Sequence, residues 1–137
     1  MPPSQKPMQN TPELSEDQQH ILLRSINWLK GQAQSRFDDG KIGSLGYTKI
    51  LELLNLLEAK VNGKTISYSN AIECKVVIAK IIDTCSHVAK KMPQLESSDS
   101  IPEYRAILNE LSNANFDSIP EFKKLAEKLF EFERKLQ

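Results

Sequence analysis

Apolar positions recur along most of this chain at intervals of three and four, the period of a helix with one face against a core. The densest run lies from Asn70 to Met92. At about 100° per residue, Cys74, Val77, Ile78, Ile81, Ile82, Cys85, Val88, Ala89 and Met92 share one wide apolar sector. Ile72, Val76 and Ala79 form a smaller patch on the other side, so this helix is expected to touch neighbours on two flanks. Asn70 with Glu73 reads as its capping box, Lys90 and Lys91 suit its negative end, and Pro93 is expected to stop it.

The same period predicts a helix before and another after the glycines of 40–46. Ser15 with Gln18 forms a capping box for the first, which runs to about Arg36 with Leu22, Leu23, Ile26, Leu29, Ala33 and Phe37 inward. Ile21 and Trp28 lie together on another edge, well off that face, and need a second neighbour. The second helix, roughly Tyr47 to Val61, ends at Asn62 and Gly63. Its leucines spread over more than half its circumference, with Leu53 and Leu56 at the outer margin.

After an acidic, serine-rich linker at 94–99, Asp99-Ser100-Ile101-Pro102-Glu103-Tyr104 is echoed eighteen residues later by Asp117-Ser118-Ile119-Pro120-Glu121-Phe122. Each copy carries a serine, a glutamate three residues on and a proline in the first turn, so each is expected to start a helix with a capping box. The stripes Tyr104, Ile107, Leu108, Leu111 and Phe122, Leu125, Leu129, Phe132, Leu136 make an antiparallel hairpin. Two copies are too few for a solenoid. No window alternates with a period of two. The fold class is therefore all-α: a single-domain bundle of about five helices, three long plus a shorter C-terminal hairpin, built around the central helix 70–92. It occupies 14–137, behind a disordered tail at 1–13 that holds four prolines in its first twelve residues and almost no apolar mass.

Composition narrows the function. Eighteen basic and eighteen acidic side chains cancel, so nothing steers the chain as a whole to nucleic acid or to an anionic membrane. The contrast is local: the central helix is lysine-rich, and the stretch 94–117 is acidic. Cys74 and Cys85 lie eleven residues apart on one helix, roughly 16 Å and beyond disulfide reach. They are expected to be reduced core thiols. With no apolar segment near Met1 and no run of about 18 apolar residues, the chain reads as cytoplasmic, and export by a leaderless route is compatible with it.

Candidate chemistry is sparse. His20, His87 and the two cysteines cannot converge on a metal, and no glycine-rich phosphate cradle is present. Asp38-Asp39-Gly40-Lys41-Ile42 resembles the middle of an EF-hand loop, but in that register Ser35, Phe37 and Gly46 stand at ligand positions, so a glycine turn is expected and no metal or cofactor. Ser86-His87-Val88-Ala89-Lys90 resembles the phosphoacceptor stretch of histidine phosphotransfer domains. That resemblance implies a helical bundle with an exposed acceptor at His87 and a lysine three residues on, and it supplies the alternative function. The leading expectation is a non-enzymatic protein that binds another protein, as a regulator, inhibitor, chaperone or adaptor. Its partner-binding residues are expected to be Ile21, Trp28, Leu53 and Leu56, with self-association as one use of them.

Overall fold

A computed structural model describes residues 14–95 and 100–136. The expected tail and most of the acidic linker lie outside them. The described chain is all helical: α1 (Glu16–Asp38), α2 (Ser44–Asn62), α3 (Tyr68–Leu95), α4 (Ser100–Leu111) and α5 (Ile119–Lys135).

The helix ends follow local chemistry, and not always the chemistry expected. At α1 the capping box forms as read: the Gln18 N–H donates to Ser15 Oγ, and the Ser15 N–H donates to Gln18 Oε1. α3 begins two residues before Asn70, because Ser67 caps it; the Asn70 N–H donates to Ser67 Oγ at 3.2 Å. Asn70 is thus inside the first turn, and the Asn70/Glu73 box is displaced by a true cap three residues upstream. Pro93 does not stop the helix, which continues to Leu95. A proline this near the end forfeits a single N–H, and the residues after it still reach carbonyls of the preceding turn. α2 begins at Ser44, not Tyr47, and ends on Gly63 as expected, although the left-handed residue that turns the chain is Lys64, at φ 55°. Ser118 makes no side-chain cap to α5; Pro120 in the first turn starts that helix instead. In the α1–α2 connector Gly40 takes the left-handed conformation, φ 73°, which a glycine supplies without strain.

α3 touches each of the other helices, whereas α1 and α5 share no contact among the described residues. Side-chain pairs give the directions. Lys75 meets Ser25 and Asp83 meets Arg36, so α1 and α3 run parallel. Glu73 meets Lys123, and Lys80 lies over Phe130, so α5 runs parallel to both. Glu110 and Glu103 pair with Lys128 and Lys135 in antiparallel order across the α4–α5 hairpin. The chain therefore zigzags: α1, α3 and α5 form one layer with α3 in its middle, and α2 and α4 run the opposite way behind it.

Leu22, Ile50, Leu54, Ile78, Ile81, Leu108 and Phe132 fill the space between the layers. Residues before α1 and in the connectors also supply core. Leu14, Ile42, Ile66 and Phe116 are buried outside the helices, and Phe116 meets Phe122 edge-on with ring centres 4.8 Å apart. Gly46 lies inside α2, where a Cβ would come 3.3 Å from the Tyr104 hydroxyl. The close approach of α4 to α2 thus depends on a residue that the spacing had assigned to the loop.

Candidate partner-binding face

Trp28 is 64% exposed and Ile21 50% exposed, two turns apart on α1. They have the off-face placement that the spacing indicated, and among the described residues no other helix covers them. Val76 joins Trp28. It is 63% exposed on the outer side of α3, pointing away from the second layer. The two-flank reading of this patch holds: α1 and α5 sit to either side of α3, and Ile72 and Ala79 pack half-buried against the core, while Val76 on the outer ridge stays largely exposed.

Leu53 is a correction. It is 2% exposed and belongs to the core, because α2 is enclosed by α1, α3 and α4 over a wider arc than one facing helix could cover. Leu56 is 37% exposed, yet on α2 it lies about 160° from Glu58, whose carboxylate accepts from Lys30 on α1. Leu56 and the Trp28 edge are therefore separate patches.

Around Val76 the layer has two furrows. Between α1 and α3, Ser25, Trp28, Leu29, Lys75, Val76 and Ala79 line a recess of about 190 Å³. Between α3 and α5, Val76, Val77, Lys80, Lys123 and Phe130 line one of about 200 Å³. Both fall below the ~300–1,000 Å³ that encloses a small organic ligand, so each suits a single inserted side chain. The rim is polar and largely tied down: Arg36 donates to Asp83 at 2.7 Å and to Ser86 at 3.2 Å, Lys123 pairs with Glu73 at 2.8 Å, and Lys75 donates to Ser25 Oγ at 2.6 Å.

Cys74 and Cys85 are free and buried. Burial, with Glu73 adding to it, pushes the Cys74 thiol up to about 12, and burial pushes Cys85 up to about 11. Both stay protonated, the opposite of an activated nucleophile. Tyr104 is also raised, by burial first and then by the neighbouring Cys85. His87 is exposed on α3. Two lysines on its side of the helix are turned to the C-terminal helix, Lys80 standing 4.4 Å from the Phe130 ring centre and Lys91 donating to the Leu136 carbonyl, while Lys90, three residues on, is exposed. Among the described residues no group of three or more His, Cys, Asp or Glu could hold a metal, and no helix is long and apolar enough to cross a membrane.

The class defined by this architecture is a two-layer helical bundle with a bare apolar ridge on its three-helix side. No protein family, curated protein or solved structure matches the chain.

Proposed function

We propose that this is a non-enzymatic protein-binding module, a regulator, inhibitor, chaperone or adaptor, that docks its partner on the outer side of α1, α3 and α5. The observation that carries the reading is the pair Trp28 and Val76, a tryptophan and a valine each nearly two-thirds exposed and facing the same furrow. Large apolar side chains left in water carry a hydration cost that a partner removes, and tryptophan is among the residues most often found to anchor interfaces. The protonated thiols and the small recesses fit a binding role better than a reacting one, and buried free cysteines suit a reducing compartment such as the cytoplasm.

The test is comparative capture from the native cell with the full chain and three variants. Trp28→Ala and Val76→Asp are expected to lose the same partner, and Leu56→Ala to retain it, with all three keeping the wild-type helical circular dichroism. Retention of every partner by a folded Trp28→Ala variant refutes the placement.

A further inference from the structure

The charges around the bare ridge are of both signs, but they are not equally satisfied. Each carboxylate close to the furrows already has a cation: Glu73 has Lys123, Asp83 has Arg36, and Glu127 has Arg134 at 2.8 Å. The lysines nearest Val76 have none among the described residues. Lys75, one residue before it, donates to a neutral hydroxyl, and Lys80, one turn after it, lies on an aromatic ring. Arg24, exposed one turn before Trp28, makes no ion pair among the described residues either. The ridge is therefore an apolar strip whose unneutralised charge is positive, on a chain whose net charge is zero.

Resting on the docking reading above, we propose that the occupant is an acidic amphipathic helix of a partner protein. Its apolar side chains enter the two recesses on either side of Val76, and its carboxylates meet Lys75 and Lys80. The geometry fits. Furrows on either side of one helix lie roughly 8–10 Å apart, the spacing of packed helix axes, and residues seven apart on the docked helix are separated by about 10.5 Å. Anchors at i and i+7 thus reach one recess each, with i+3 or i+4 resting on the Val76 ridge between them. Carboxylates flanking those anchors would replace a hydroxyl and a ring as the lysines' partners with charge-assisted bonds. A second copy of this chain would instead bring the same unpaired cations opposite one another about a twofold axis, like charge against like.

The probe is a displayed library of random 16-residue peptides, panned on the full chain and counter-panned on Trp28→Ala. Clones held by the wild type and released by the variant are expected to carry apolar residues at i, i+3 or i+4, and i+7, with an excess of aspartate and glutamate beside them. Synthetic copies should bind at least tenfold more weakly to Lys75→Glu/Lys80→Glu, measurably more weakly to Lys75→Gln/Lys80→Gln, and more weakly at 500 mM than at 50 mM salt. Trp28-dependent clones that are neutral or basic overturn the acidic helix and leave the docking face standing. A selection in which no clone depends on Trp28 overturns both. A wild-type dimer at micromolar concentration in sedimentation, monomeric as Trp28→Ala, makes the occupant a second copy and overturns the proposal.

Discussion

Phe116 lies in the connector between α4 and α5 and is completely buried. Its truncation is the sharpest test of how the hairpin is held. Phe116→Ala removes a ring that closes against Phe122 at 4.8 Å, with the planes 71° apart. Phenylalanine-to-alanine changes in cores lose about 3–5 kcal/mol, transfer and cavity terms together. An edge-to-face pair contributes about 0.5–1.5 kcal/mol of its own, which places this site toward the upper part of that range. Against a total stability of order 5–15 kcal/mol, the variant stays folded at 25 °C with a melting temperature lower by roughly 10–20 °C. Equilibrium urea unfolding followed by circular dichroism measures it, with the m-value unchanged if only the folded state is affected. Phe116→Leu, which keeps most of the volume, is expected to lose about 1–2 kcal/mol. A loss below about 1.5 kcal/mol for Phe116→Ala refutes the packing of this connector against the start of α5.

Leu53→Ala is expected to cost about 2–5 kcal/mol and Leu56→Ala about 1 kcal/mol or less, since one is sealed and the other more than a third exposed; equal losses in urea titrations would refute the separation of the two patches. Gly31→Ala, in the exposed middle of α1 with open space around the new methyl, is expected to gain about 0.5–1 kcal/mol, whereas Gly46→Ala should give no such gain, because its Cβ presses on the buried Tyr104 hydroxyl; thermal melts of the two variants read the contrast directly. Both thiols should resist an aromatic disulfide reagent at pH 8 in the native protein, and two should react per chain once it is unfolded in urea. Their folded values lie above the ordinary thiol value of 9.0, so the unfolded chain releases these protons first; stability from this source is intact below about pH 9 and falls as pH climbs through 11 to 12.

The period of three and four was enough to find every helix and to put α3 at the centre, because a helix that contacts neighbours on several sides must carry apolar residues over a wide arc. It misjudged Leu53 for a related reason. A wheel ranks positions by their angle from a mean direction, and α2 has no single direction, being enclosed by three neighbours. It could not place Phe116, because periodicity speaks only inside a helix; the available signal was an aromatic residue stranded among asparagine, aspartate and serine, where only burial keeps it from water. Val76 was visible as an outlier, but whether a neighbour covers such a residue depends on how the layers stack. Helix ends follow motif spacing only in part: Ser67 caps α3 upstream of the Asn70/Glu73 pair, and Ser118, with its glutamate three residues on, makes no side-chain cap to α5.

The zigzag course sends the connectors 39–43, 63–67 and 112–118 to the two ends of the bundle, and among the described residues the broad side bearing Trp28 consists of helix alone. On the docking proposal, a partner would meet a surface whose described residues are already held in helices, with an indole that has only two torsions to freeze. If the docking proposal holds, association here would freeze little motion on this protein's side, and its strength would depend on how closely a partner's shape and charge match the recesses and lysines already in place.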